Sequence, residues 1–222
     1  MDAASGVKVL RRELEAVADA QLAPAMKAYM KDHFEFLGVP APQRRVAQRA
    51  ALHAWQPSQA ELTKFARSCW CQAEREFQYA ANDAINRMIR QCDSSFIEVL
   101  HELVTTKSWW DTVDGIAPNV GVLVLAHPDL VTTMDAWIDD DNMWLRRIAL
   151  LHQLRYKSST NPTRLFDYCE RRASETEFFI RKAIGWALRE YAKTDADAVR
   201  GFVDRNEATL SGLSQREALK NL

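Results

Sequence analysis

Glycine and proline are scarce, with 7 of each among the 222 residues. Turn-rich β folds use many such residues, because glycine and proline supply the backbone angles of tight turns, so their scarcity favours helices. No apolar run approaches the roughly 20 residues of a membrane-spanning helix, and the first residues lack the apolar core of a signal peptide. We therefore expect a cytoplasmic protein without a membrane partner.

The sequence also lacks the patterns of a disulfide framework or a metal site. Its four cysteines are Cys69, Cys71, Cys92 and Cys169, and a cytosolic protein keeps such thiols reduced. Cys69 and Cys71 can form half of a zinc site, but no second Cys or His pair stands at ligand spacing. No nucleophile elbow or phosphate-binding loop occurs either. The sequence therefore predicts structural cysteines, no metal and no cofactor.

Net charge is close to zero, at −1 from 29 Lys or Arg and 30 Asp or Glu residues, which on its face weighs against a nucleic-acid partner. The distribution is uneven, however. Between Trp144 and Arg200 there are twelve Lys or Arg residues against seven Asp or Glu, after an acidic stretch with Asp135 and residues 139–141. Such separation creates a local field that the total hides.

Helical periodicity runs along nearly the whole chain, with turn-like breaks near residues 38–42, 127–129 and 158–162. Four helical segments open on aromatic residues spaced by 33, 34 and 34 residues: Phe77, Trp110, Trp144 and Phe178. A recurring helical unit of this length is typical of an α-solenoid, although bulky residues in an all-α globule can fall at such spacing by chance. We predict a single all-α domain over residues 1–222.

The helix that starts near Phe178 places a large aromatic residue on its polar side. Its core face is predicted to hold Ile180, Ile184, Ala187, Leu188 and Tyr191. Trp186 points nearly opposite, among Lys182, Arg189 and Lys193. Two interpretations remain open: Trp186 faces a ligand on a basic surface, or it is covered by the next repeat or by Lys and Arg stems.

Trp110 and Asp114 lie one helical turn apart and therefore side by side. Pro118 cannot donate to the carbonyl of Asp114, so the helix is expected to kink or loosen there. An aromatic plane beside a carboxylate suits a developing cation. The alternative is that Asp114 pairs with a Lys or Arg of the adjoining repeat.

Arg147 lies within a segment that is apolar almost all round, Trp144–Leu151. A helix of this kind is buried on more than one side, and an unpaired buried charge is unfavourable. Arg147 therefore needs an anionic partner. Asp114 and a phosphate group both satisfy this requirement.

At these places the sequence resembles the AlkD family of alkylpurine DNA glycosylases. The resemblance covers Ala25–Ala218 and rests on segments in the family's order and spacing. These segments are Tyr29–Val39, Arg75–Gln78, Lys107–Asp114, Trp144–Arg147 and Phe178–Trp186.

The resemblance implies an α-solenoid of stacked HEAT-like repeats with a concave basic groove for double-stranded DNA. It also implies hydrolysis of the N-glycosidic bond of cationic 3-methyladenine and 7-methylguanine, without base flipping, by a nucleoid-associated monomer. It assigns catalysis to Asp114, Trp110 and Trp186, and DNA contact to Arg147 and Tyr29.

The basic face around Trp186 adds Lys182 and Arg189 as DNA-binding residues. A hypothesis from a different class is a non-catalytic HEAT-repeat scaffold that binds DNA or a protein, since solenoids are mostly scaffolds. The combination of Trp110, Asp114, Arg147 and Trp186 argues for the enzyme, because a scaffold does not need it.

Overall fold

The computed structural model describes residues 2–222, and these residues are arranged almost entirely in helices. The α-helices are α1 (Ala3–Glu15), α2 (Ala23–Tyr29), α3 (Ala41–Leu52), α4 (Gln59–Cys71), α5 (Arg75–Met88), α6 (Phe96–Thr105), α7 (Trp110–Ala126), α8 (Val131–Trp137), α9 (Met143–Leu151), α10 (Pro162–Arg171), α11 (Phe178–Ala192), α12 (Ala196–Arg205) and α13 (Gly212–Ala218). Three short 3-10 helices cover Ile89–Gln91, Pro128–Leu130 and Lys157–Ser159. Within residues 2–222, extended backbone pairs only at an isolated bridge between Glu35 and Glu74.

The helices form two compact units, of which the first ends at Cys92 and the second covers Asp93–Leu222. In the first unit, α1 packs on α3 and α4, and α5 packs on the same two helices. Its core includes Leu10, Phe65 and Phe77, all fully buried. A single domain over residues 1–222 stays a prediction.

In the second unit, consecutive helices pack as pairs: α6 on α7, α8 on α9, α10 on α11 and α12 on α13. One helix of each pair also packs on its counterpart in the next, since α9 contacts both α7 and α11, and α11 contacts α13. Stacked helix pairs of this kind define an α-solenoid. The predicted fold class, all-α with stacked helical repeats, is confirmed.

The aromatic spacing correctly marks where the repeat helices begin. The helices α5, α7, α9 and α11 start at Arg75, Trp110, Met143 and Phe178, within two residues of the four aromatics. The aromatics themselves have different surroundings. Phe77 is fully buried, whereas Phe178 is 57% exposed. The repeat therefore fixes helix starts and not a common packing position.

Side-chain caps begin many helices of the second unit. The side chains of Asn142, Asn161, Asp195 and Ser211 each accept a hydrogen bond from a backbone N–H in the first turn of the helix that follows. Such caps satisfy N–H groups that have no helical partner. The starts of α9, α10, α12 and α13 are thus set locally by the sequence.

The predicted core faces of α9 and α11 are largely confirmed. Ile180, Ile184 and Leu188 are fully buried and Ala187 nearly so, while Tyr191 is half-buried. Seven of the nine residues of α9 are buried, including Arg147. The helix α7 runs unbroken through Pro118. None of the helices between residues 2 and 222 combines the length and apolar character that crossing a bilayer requires.

Gly121 on α7 approaches the chain after α9 so closely that a side chain does not fit. A Cβ atom there would lie 2.1 Å from the carbonyl oxygen of His152, and the Tyr156 hydroxyl donates to the Gly121 carbonyl at 2.7 Å. We expect Gly121→Ala to reduce the free energy of unfolding by roughly 1–3 kcal/mol, because backbone atoms must move apart. Thermal unfolding followed by circular dichroism measures this effect.

Gly201 on α12 provides the matched control. A Cβ atom there would meet only the flexible end of Arg205, at 3.2 Å. Because alanine favours a helix over glycine by roughly 0.5–1 kcal/mol, we expect Gly201→Ala to leave the melting temperature unchanged or raise it. A Gly121→Ala protein that melts no earlier than Gly201→Ala contradicts the packing argument.

Candidate active site

Asp114 of α7 and Arg147 of α9 form a bidentate ion pair. The Nε atom of Arg147 donates to Oδ1 of Asp114 at 2.7 Å, and Nη2 donates to Oδ2 at 2.8 Å. The Arg147 side chain is 1% exposed, whereas that of Asp114 is 22% exposed. The carboxylate therefore reaches solvent while the guanidinium lies beneath it.

Arg147 also donates through Nη1 to the backbone carbonyl of Phe179, near the start of α11. One guanidinium thus connects α7, α9 and α11. The sequence left two partners open for Arg147, and the structure shows pairing with Asp114. It equally shows the alternative considered for Asp114, which pairs with a cation of the adjoining repeat. A contact of Arg147 with DNA stays a prediction.

An aromatic cluster packs around this buried cation. The ring centroids of Trp109, Trp144 and Phe179 lie 5.1–5.9 Å from one another, and the guanidinium carbon of Arg147 lies 5.8 Å from the Phe179 ring centroid. Each of the three rings belongs to a different repeat of the second unit. Close packing of large rings leaves Arg147 little freedom to move, which fixes the position of Asp114.

Trp186 of α11 adjoins the same ion pair. Its half-buried ring has its centroid 5.2 Å from the guanidinium carbon of Arg147 and 5.2 Å from the Lys182 ammonium nitrogen. Trp110, also half-buried, lies one helical turn before Asp114. Arg147 thus brings Asp114 and Trp186 together, and α7 places Trp110 beside Asp114. The catalytic roles of these residues stay predictions.

Glu217 of α13 is part of this site and was missed by the sequence analysis. Its carboxylate accepts hydrogen bonds from Lys182 at 2.8 Å, from Arg189 at 2.7 Å and from the Trp186 indole at 3.2 Å. The hydrogen bond from Lys182 lowers the pKa of Glu217, against the effect of burial, and the charges of Lys182 and Arg189 lower it further. Both interpretations of Trp186 hold in part, since the ring adjoins cations and is covered by the next repeat.

Most of the local basic excess is paired. At least nine of the twelve cations between Trp144 and Arg200 have carboxylate partners. The acidic stretch supplies several of them, since Asp135 pairs with Arg164 and Asp139 pairs with Arg172. The positive field of this unit is therefore weaker than the sequence count indicates.

Tyr29 ends α2 in the first unit and is 68% exposed. It borders an open apolar cleft of about 340 Å³ with Met26, Phe36 and Tyr79 among the other lining residues. Asp114, Trp186, Lys182 and Arg189 all belong to the second unit. The predicted contact of Tyr29 with DNA stays a prediction.

The cysteines and histidines show no shared site. All four cysteines are free, and burial raises the pKa of the Cys69 and Cys169 thiols. Burial lowers the pKa of His152 to about 4, and its Nδ1 lies 2.6 Å from the Ala149 carbonyl. In the described part of the chain, no three His, Cys, Asp or Glu side chains are grouped to hold a metal ion.

Fold and site together define a helical-repeat protein in which a buried arginine holds a partly exposed carboxylate beside an indole ring. The sequence matches the DNA alkylation repair enzyme family over residues 10–222, so the chain belongs to this family. This confirms the resemblance found in the sequence. No curated protein matches the chain.

Two solved structures agree with this assignment. A protein of Enterococcus faecalis described as a "predicted DNA alkylation repair enzyme" is 34% identical, with a TM-score of 0.84 over 92% of this chain and 96% of its own. The smu.31 protein of Streptococcus mutans UA159 has a TM-score of 0.62 at 16% identity, over 79% of this chain and 90% of its own. At that identity, the second likeness shows the fold alone.

Proposed function

We propose that this protein is a DNA glycosylase that hydrolyses the N-glycosidic bond of cationic alkylated purines, 3-methyladenine and 7-methylguanine, in duplex DNA. Membership of the family supports alkylated DNA as the substrate. The observation that carries the proposal is Asp114, a partly exposed carboxylate that Arg147 holds beside Trp186. Trp110 on the preceding turn of α7 completes the proposed site.

The charge of the substrate decides what such a site must provide. A purine alkylated at N3 or N7 already carries a positive charge, so it leaves as a neutral molecule and needs no general acid. Positive charge then develops on the deoxyribose, and an enzyme accelerates the reaction by placing fixed negative charge and a water molecule there. A neutral, undamaged purine receives no help in leaving, so the lesion's own charge sets the specificity.

Asp114 suits this role in geometry and charge. At about 4 Å and an effective dielectric constant of about 20, a carboxylate and a sugar cation attract by about 4 kcal/mol, or nearly three decades in rate. The Arg147 charge offsets part of this attraction. Its two hydrogen bonds leave further lone pairs on both carboxylate oxygens, which can orient the attacking water.

The two indole rings add to the stabilisation. A cation over a desolvated indole face gains roughly 1–2 kcal/mol. Lys182 and Arg189, which are partly exposed, are proposed to contact phosphates, as are Tyr29 and Arg147. Contact through the backbone fits action on duplex DNA by a monomer, without base flipping.

The second candidate is a non-catalytic helical-repeat scaffold that binds DNA or a protein. The observation that favours it is the saturation of local charge, since Arg147 occupies Asp114 and Glu217 occupies Lys182 and Arg189. Binding to DNA that weakens steeply with salt supports either DNA-binding version and contradicts a protein scaffold.

Chromatography of bases released from methylated duplex DNA separates the two candidates. We expect the protein to release 7-methylguanine and 3-methyladenine, and to release nothing from the same DNA before methylation. Release of neither base, by protein that binds the DNA, contradicts the glycosylase and leaves the scaffold.

A further inference from the structure

The C-terminal helix α13 docks on α11 by an approach that only glycine permits. A Cβ atom at Gly185 would lie 2.4 Å from Cβ of Glu217 and 3.0 Å from the Ser214 carbonyl oxygen. The Ser214 hydroxyl fixes the contact by donating to the Arg181 carbonyl at 3.0 Å. This docking carries the carboxylate of Glu217 to the polar edge of α11.

Glu217 there binds every polar neighbour of Trp186 on α11. One carboxylate, 16% exposed, accepts from Lys182, Arg189 and the indole N–H of Trp186. It thereby holds the indole by its edge while leaving the ring face in contact with Arg147.

Charge neutralisation is the second consequence of this contact. Arg147 next to the indole is paired with Asp114, whereas Lys182 and Arg189 have Glu217 in common. Without Glu217, two uncompensated cations would lie where the proposed reaction builds a third positive charge. Like charges at this range raise the energy of the transition state.

We propose that Glu217 is a positioning residue of the site, which orients Trp186 through its indole N–H and compensates Lys182 and Arg189 so that a sugar cation can form beside them. This inference rests on the proposed function. It has a signature that a purely structural role lacks: removing the Glu217 charge strengthens ground-state DNA binding and slows chemistry.

The opposite signs have one physical cause. Lys182 and Arg189, once released from Glu217, are available to DNA phosphates, and each added phosphate contact makes the salt dependence steeper by about 0.9. The same two charges repel the developing sugar cation. Binding and chemistry therefore change in opposite directions.

The experiment compares Glu217→Gln and Glu217→Ala with the control Glu207→Gln, which removes an exposed charge from the same unit. Single-turnover release of 7-methylguanine and the salt-dependent affinity for undamaged duplex DNA are measured. We expect both Glu217 variants to bind more tightly, with a steeper salt dependence, and to release base more slowly, about tenfold for Glu217→Ala. Glu217→Gln keeps an oxygen for the indole N–H and is expected to be less impaired, while Glu207→Gln behaves as wild type.

Three results overturn the proposal. Release at the wild-type rate in both Glu217 variants removes the role in chemistry. Weaker DNA binding together with slower release and earlier melting shows a structural role only. Equal rates for Glu217→Gln and Glu217→Ala show that the hydrogen bond to Trp186 does not position the ring.

The indole resonance of Trp186 tests Glu217 independently of catalysis. In a ¹H–¹⁵N spectrum, this resonance is identified by its loss in Trp186→Phe. We expect an upfield shift in Glu217→Ala, because the N–H loses its acceptor, and an unchanged position contradicts the proposed contact. If wild-type protein releases no base, the proposed function fails, and the spectrum still decides whether Glu217 holds the ring.

Discussion

Asp114→Asn is expected to slow the release of 7-methylguanine from methylated duplex DNA by about a thousandfold. Asparagine has the shape of aspartate without its charge, so the variant removes the attraction to the sugar cation and leaves the volume of the site unchanged. DNA affinity should not fall, because Asp114 carries a charge of the same sign as the phosphates. Single-turnover base release and binding to undamaged duplex measure the two quantities separately.

Folding must be controlled in this experiment because Arg147 depends on Asp114. Removing one partner of a buried ion pair destabilises a protein by roughly 3–5 kcal/mol, and the effect should be smaller here because the Asp114 side chain is 22% exposed. Rates are therefore compared below the melting temperature of the variant. Asp129→Asn removes an exposed carboxylate of the same unit and should release base as wild type does.

A folded Asp114→Asn protein with wild-type release would show that another group stabilises the sugar. The structure makes this a sharp outcome. The carboxylate that adjoins Trp186 besides Asp114 is Glu217, and its oxygens already accept three hydrogen bonds. Activity without the Asp114 charge would therefore contradict the mechanism and not only its assignment.

Helix positions could be predicted from the sequence because local physics determines them. The aromatic spacing gave the starts of α5, α7, α9 and α11 within two residues. The periodicity of α11 gave its buried face, since an amphipathic helix must turn its apolar side to the core. Both signals lie within one helix, so no knowledge of the neighbouring repeat is needed.

Partners between repeats could not be predicted, because they depend on how two helices stack. The sequence showed that Arg147 needs an anion and did not show which one. A signal was nevertheless present: opposite charges that pair across repeats lie about one repeat apart, 33 residues for Asp114 and Arg147 and 35 for Lys182 and Glu217. The same rule explains why the count of basic residues overestimated the free charge.

Glu217 was missed for a different reason. It belongs to the short helix α13, and its place at the site follows from the close approach at Gly185. The role of a glycine in helix docking depends on what faces it, which the sequence does not state. The tight packing and the missed residue are therefore one fact.

Replacement of Arg147 is expected to have the second large effect, on stability as well as on base release. The guanidinium donates to both oxygens of Asp114 and to the Phe179 carbonyl. Arg147→Ala leaves these acceptors without a donor and should reduce the free energy of unfolding by roughly 3–5 kcal/mol. Arg147→Lys keeps the charge, but an ammonium group does not reproduce the planar fork, so we expect a loss of roughly 1–3 kcal/mol.

The catalytic role of Arg147 follows from a double-mutant cycle with Asp114→Asn. If Arg147 acts by holding Asp114, then Arg147→Lys slows release in the wild-type background and has little further effect once the carboxylate is gone. If Arg147 leaves Asp114 to bind a phosphate, the two effects multiply, and Arg147→Lys also changes the DNA affinity. Because the side chain is 1% exposed and bonded on three sides, we expect the first result. Multiplying effects would show that DNA opens the ion pair, and that the free carboxylate of Asp114 faces the sugar only in the complex.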